Sequence, residues 1–241
     1  MLHRTAAALA LMSLTTLAHA DDIDLTQLLG VQSDFRLLSE DLGAALSYKP
    51  VAPGEPLGVL GIDIGLEVTA TDLQAARAYR RATGSDSTDY LLVPKLHVHK
   101  GLPLRLNVDA FYSTVPDSNI EVFGGALGFS LLEGGVATPA LTVRATATKL
   151  SGVEGLDLDT QGIELTISKG FALLTPYAGI GRVHVKSEPT GVAASALRKE
   201  SFDLDKIYAG LNINLGLLNL AFEADKTGDA PSYSGKVGFR F

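Results

Sequence analysis

Apolar and polar residues alternate with a period of two along most of the chain after Leu57. The clearest run spans Leu102 to Ser113, where Leu104, Leu106, Val108, Ala110 and Tyr112 interleave with Arg105, Asn107, Asp109, Phe111 and Ser113. Successive side chains of a strand point to opposite faces, so this run has one apolar face and one that lipid would reject. Comparable runs predict ten strands, near residues 57–70, 89–99, 103–114, 119–131, 139–149, 158–169, 173–186, 203–215, 218–226 and 232–241. Most sustain the alternation for about nine residues or more, the length a membrane-crossing strand needs, whereas soluble strands cluster near five or six.

The connections also alternate: those at 100–103, 132–138, 169–173 and 215–218 are compact, while 71–89, 150–156 and 186–203 are mostly longer and more polar. Short turns on one side, longer loops on the other and an even strand count are the pattern of an outer-membrane barrel. The expected fold is all-β: an antiparallel transmembrane β-barrel of about ten strands over residues 57–241. A secreted soluble β-sandwich is a lesser alternative.

Ahead of the barrel, residues 1–20 pair His3 and Arg4 with an apolar stretch and close on Ala18-His19-Ala20, which reads as a cleaved secretory signal peptide. Residues 21–56 are expected to form a plug or a periplasmic tether. Asp24 with Gln27 suits a helix start, and Leu25, Leu28, Leu29, Phe35, Leu38 and Leu42 roughly follow helical spacing, interrupted by Gly30. The alternation Leu42, Ala44, Leu46, Tyr48 could instead be a wall strand, but eleven strands breaks parity, so it belongs to a plug or to a twelve-strand barrel.

Composition narrows the chemistry. The chain of 241 residues is 46% apolar with a formal charge of −7, which argues against disorder and against a general nucleic-acid binder. It has no Cys, which removes disulfides, thiolate metal sites and cysteine nucleophiles together. No cofactor is implied.

The polar face of the strands is expected to line the lumen with Asp63, Glu67, Lys95, His97, Arg105, Asp109, Arg144, Glu164, Arg182, His184, Lys186, Lys206, Glu223, Asp225, Lys236 and Arg240. Eight bases then face six acids, and plug carboxylates Asp34, Glu40 and Asp41 are placed to meet the excess. Small residues Gly124, Ala126, Gly128 and Ser130 would leave room for the plug. His97 and His99 share a face and could form a metal site if Asp109 joined them, but polar lumen residues are the simpler reading. Arg77, Arg80 and Arg81 form a basic cluster able to touch lipopolysaccharide phosphates, although a solvated loop helix explains them as well. No Gly-x-Ser-x-Gly nucleophile motif occurs, and the chain is not expected to be an enzyme; a rim hydrolase is the last of four readings.

The final segment Tyr233-Ser-Gly-Lys-Val-Gly-Phe-Arg-Phe241 resembles the terminal strand of Gram-negative outer-membrane β-barrel proteins. The resemblance implies that Phe239 and Phe241 belong to a signal read by the barrel-assembly machinery, and that the cell outer membrane, with its lipids and lipopolysaccharide, surrounds the protein. The stretch from Ser39 to Pro50, followed by Glu55-Pro-Leu-Gly58, looks like the hatch-to-first-strand passage of long-chain fatty-acid transporters of the FadL type. Those have fourteen strands and far longer outer loops, so no ligand-contacting residue carries over. The expected function is a porin-like channel, transporter or binder for a small or hydrophobic solute, with a closed structural or adhesive barrel second.

Overall fold

The computed structural model describes residues 22–84, 89–135 and 137–241. The signal-peptide expectation therefore lies outside the described residues. Ten antiparallel strands close into a barrel: β1 (Ile62–Asp72), β2 (Tyr90–Gly101), β3 (Leu106–Thr114), β4 (Glu121–Glu133), β5 (Ala140–Ser151), β6 (Leu156–Ser168), β7 (Leu174–Pro189), β8 (Glu200–Leu215), β9 (Leu218–Thr227) and β10 (Ala230–Arg240). Each strand pairs with its sequence neighbour, and β1 pairs with β10 from Asp63 opposite Arg240 to Thr71 opposite Ser232, so no edge is left open.

The barrel has two unlike ends. Four connections, at 102–105, 134–139, 169–173 and 216–217, share one end with Phe241. The opposite end carries 73–89 and 190–199 as its long loops, but 152–155 and 228–229 there are as tight as any turn. The length asymmetry thus rests on two loops. The expected loop at 186–203 is smaller than it looked because β7 runs on to Pro189 and β8 starts at Glu200, ahead of its pairing with β9, which reaches only Lys206. At the other end, 57–61 is not strand: Gly61 carries its amide to the Gly58 carbonyl in a turn, and Leu60 is fully exposed.

Alternation sorts the side chains as the pleat demands. Ile64, Leu66, Leu96, Phe123, Leu127, Phe129, Ile163, Ile180, Ile207, Phe222 and Phe239 point outward and are exposed. Two aromatic side chains brace the opposite face across glycine: Tyr208 covers Gly179 and Tyr177 covers Gly210, where a Cβ would come within 2.3 Å of either ring.

The lumen is occupied from end to end. A 3-10 turn (Leu25–Leu28) sits among the long loops, capped by Asp24, whose carboxylate accepts from the Thr26 amide. Gly30 adopts φ +81°, a left-handed conformation that breaks the expected single helix in two. The lumen helix (Gln32–Leu46) follows, then non-helical chain from Ser47 to the turn at Gly58, kinked at Val51 (φ +39°), which delivers the backbone to β1 at the short-turn end. Leu42 to Tyr48 is therefore filling rather than wall, and the barrel has ten strands. Phe35, Leu38, Leu42 and Leu46 are buried with Val122, Leu150, Leu158, Val183 and Val185 of the wall. Gly43 lies so close to Val185 that a Cβ would meet its methyl at 2.7 Å.

Candidate functional site

Two regions concentrate chemistry: the lower lumen and the outward face of β7 and β8. In the lumen, Asp63 accepts from Arg240 Nη2 at 2.7 Å and from Lys236 Nζ at 3.4 Å, and Lys236 also lies 3.3 Å from His99 Nε2. His99 Nδ1 is 2.5 Å from Asp109, Arg144 stands between Asp109 at 3.7 Å and Glu164 at 3.5 Å, and Lys206 donates to Glu164 at 2.7 Å. A second cluster joins Glu67 to Lys95 at 2.7 Å and to His97 Nδ1 at 2.9 Å. These contacts tie most strands across the interior.

The N-terminal segment is part of this network. Lys49 Nζ reaches Asp225 at 2.7 Å, with neither side chain exposed to solvent by more than 1%. Lys206 donates to the Tyr48 carbonyl at 2.6 Å, the Val51 amide donates to Glu223 at 3.1 Å, and the Gly54 amide donates to Ser168 at 3.2 Å. The Tyr48 ring packs edge-on to His97, 5.7 Å between centroids.

Of the residues expected to line the lumen, Asp63, Glu67, Lys95, His97, Asp109, Arg144, Glu164, Lys206, Glu223, Asp225 and Lys236 are buried there, and Arg240 closes the short-turn mouth on Asp63. Four expected lumen residues are elsewhere. Arg105 lies in the turn before β3 at φ +64°, where its half-exposed side chain pairs with Glu133 at 2.5 Å. Arg182 and His184, with Lys186, point outward from β7. The helix filling that level of the lumen is apolar, so Val183 and Val185 face it and the charged set faces out above the apolar band.

This changes the balance of charge. On the lumen wall the six acids face five bases, Lys95, Arg144, Lys206, Lys236 and Arg240, and Lys49 from the segment supplies the sixth. The segment brings a cation where carboxylates were expected. Its acids act at the long-loop end instead. Asp34 pairs with Arg81, and Glu40 with Arg36, which also reaches Glu200 at 3.0 Å. Asp41 accepts from the Gln74 and Ala75 amides at 3.1 and 2.8 Å, capping the loop helix (Ala76–Thr83). Burial pushes the Asp41 carboxyl up to about 6. Arg80 pairs with Asp89, which leaves Arg77 as the exposed member of the basic cluster with no salt bridge among the described residues.

His97 and His99 stack 4.1 Å apart, each with Nδ1 turned to a different carboxylate, Glu67 and Asp109. Among the described residues no set of three His, Asp or Glu side chains is arranged to hold a metal ion.

Outside the barrel, β7 and β8 carry a ladder of polar pairs. Arg182 meets Asp205 at 2.8 Å, and Lys199 meets Glu188 at 2.8 Å. Between them His184 Nδ1 lies 2.7 Å from Asp203 Oδ1 while its Nε2 lies 3.1 Å from Ser201 Oγ. Below the ladder a depression of about 620 Å³ opens in the apolar outer wall, floored by Ala178 and Ala209 and walled by Leu165, Ile180, Ile207 and Tyr233. Sequence reading missed this site because Ser201 was placed in a loop and His184 in the lumen.

No family model and no curated protein matches the chain. Among solved structures it is similar to the N-terminal β-barrel domain of Pseudomonas aeruginosa OprF, at 12% identity and a TM-score of 0.38, covering 74% of this chain and 97% of that one. It is similar also to the outer membrane protein OprG of the same organism, at 13% identity and 0.36, covering 79% and 99%. The KdgM porin in complex with oligogalacturonate matches at 8% identity and 0.38, covering 76% and 99%.

Proposed function

We propose that the protein is an integral outer-membrane barrel whose lumen is held shut by its own N-terminal segment, so that it works at its outer wall and loops. Membrane placement is supported by the exposed apolar band, which would cost heavily in water and is at home in hydrocarbon. Phe241 and the short turns then face the periplasm, the long loops face outward, and lipids and lipopolysaccharide contact the wall, with Arg77 available to their phosphates. Reading of the C-terminal strand by the barrel-assembly machinery belongs to the same proposal.

The observation that carries the closed reading is the Lys49 to Asp225 pair, which fixes non-helical chain across the middle of the barrel. Passage of a solute through the lumen requires this segment to leave; binding of a hydrophobic solute does not, because the 620 Å³ depression lies on the outside. Planar-bilayer recording tests the reading. The whole protein is expected to be silent, and a variant lacking residues 22–50 is expected to show discrete ion conductance. Steady conductance from the intact protein would overturn it.

A further inference from the structure

Serine hydrolysis needs three groups in one relation: a carboxylate on one imidazole nitrogen, and a serine hydroxyl on the other. Asp203, His184 and Ser201 have that relation on the outward face, with Nδ1 2.7 Å from Asp203 and Nε2 3.1 Å from Ser201, so that the tautomer with its proton on Nδ1 accepts from Ser201 at Nε2. No nucleophile-elbow motif is required, because facing strands supply the geometry: His184 is the register partner of Asp203, and Ser201 lies two residues along β8 on the same face. Lys186, the register partner of Ser201, puts a cation on that face beside the serine.

The site's height on the wall identifies a substrate class. On β7 and β8 the apolar band ends at Ile180 with Ile207, and the next rung is Arg182 with Asp205, whose register neighbour on β6 is still apolar, Ile163. His184 and Asp203 stand one rung above Ile163 and two above Ile180 and Ile207, about 7 to 14 Å along strands tilted by about 35–45°, which is about 5 to 10 Å in height. The interfacial layer of a bilayer is about 5–7 Å deep on each side of the hydrocarbon, and it holds the ester linkages of lipids. Directly below on the same two strands, the depression floored by Ala178 and Ala209 gives room for a hydrocarbon chain.

We propose that Ser201, His184 and Asp203 form an ester-hydrolysing site that takes an acyl ester of a membrane lipid, with its acyl chain lying in the outer-wall depression. Ser201 Oγ attacks the ester carbonyl carbon and its proton passes to His184 Nε2. The tetrahedral oxyanion develops beside Lys186, then collapses, breaking the bond to the alkoxide, which leaves as an alcohol with the proton from His184. Water next attacks the acyl-serine, giving its proton to His184. The bond to Oγ breaks, Ser201 recovers the proton and a fatty acid departs. Asp203 stays ionised and holds the imidazole tautomer.

The proposal rests on the membrane placement for its substrate but not for its triad, and the test separates the two. The refolded full chain in detergent is treated with a fluorophosphonate and assayed with p-nitrophenyl butyrate, then reconstituted in phosphatidylethanolamine vesicles and assayed for fatty-acid release. Labelling is expected at Ser201, with hydrolysis falling at least a thousandfold in Ser201→Ala and His184→Ala and at least a hundredfold in Asp203→Asn. Ser201 and Asp203 are exposed and His184 is half-buried, and retained heat-modifiable mobility on gels certifies the fold of each variant. Ala209→Phe, which fills the depression, is expected to lower the ratio of vesicle-lipid to short-ester hydrolysis at least tenfold; an unchanged ratio overturns the placement of the acyl chain in the depression. Folded, inserted protein that neither labels nor hydrolyses overturns the triad. Protein that labels and cleaves the short ester but does not insert into vesicles keeps the triad and refutes the membrane reading.

Discussion

Replacing Lys49 by Met should loosen the lumen segment far more than its single-residue scale suggests. The Lys49 ammonium and the Asp225 Oδ2 it donates to are both out of water, and Asp225 Oδ1 has no hydrogen-bond partner among the described residues. Thr227 Oγ1 also donates to Oδ2, at 2.8 Å. Removing the cation leaves a buried carboxylate almost bare, a loss of about 3–5 kcal/mol. At about 1.4 kcal/mol per tenfold, the docked-to-undocked ratio should fall by a hundredfold to a few thousandfold. Arg36→Met is the control, because Arg36 bridges Glu40 and Glu200 while about 38% exposed, and such a pair is worth about 0–1 kcal/mol. In planar bilayers the parent and Arg36→Met should be silent and Lys49→Met should flicker open. Lys49→Met with Asp225→Leu should become quiet again, since an apolar pair leaves no stranded charge. Equal behaviour of Lys49→Met and Arg36→Met, or no recovery in the double variant, would refute the argument.

Ser39 Oγ and Ser187 Oγ are 2.8 Å apart, and the chain has no Cys, so Ser39→Cys with Ser187→Cys should oxidise to one internal disulfide. The expected mobility shift on non-reducing gels, and suppression of the flicker when combined with Lys49→Met, check that the helix is docked on β7. Leu127→Arg, on the exposed apolar face of β4, should cost roughly 2–4 kcal/mol at the midplane and deplete membrane-inserted protein, while Ser118→Arg, beyond that strand, should not. For Asp41 the folded carboxyl is raised to about 6 by burial, so the folded state holds the extra proton: its contribution is full below about pH 4 and is lost as pH rises through 6. Denaturation midpoints between pH 4 and 7 should decline with that profile, and Asp41→Asn should flatten it; an unchanged slope in the variant would locate the proton elsewhere.

The wall was legible because a pleated strand enforces alternation at every residue, and the sequence-predicted limits of β5, β6 and β9 lie within about two residues of those observed. Facing was legible only where one face is plainly apolar. On β7 the outward face itself changes from apolar at Ile180 to charged at Arg182, while Val183 and Val185 face inward, so a charged trio reads as lumenal unless the filling beside it is known. The same blindness gave the segment the wrong sign: counting Arg105, Arg182 and Lys186 inward made the lumen look basic, and only their removal exposes the need for Lys49. The Ser201 site was hidden for a further reason. Its members come together by register across a hairpin whose overhang reads in one dimension as loop.

A chain that enters its barrel at the long-loop end and reaches β1 only at the other end sets the order of its own assembly. A helix with its side chains is about 10–12 Å wide, too thick to be drawn through a shut ten-strand ring that it already fills. In the intact chain the earliest-made residues must be in place while the wall is laid around them, before the last seam, β1 against β10, is sewn; a chain without them would close the same seam around an empty lumen. Lys49 meets Asp225 across 176 residues of chain. The cork is therefore older than the bottle, and a mould that holds the final strands to the right circumference would be the first use of a segment whose later use is to keep the barrel shut.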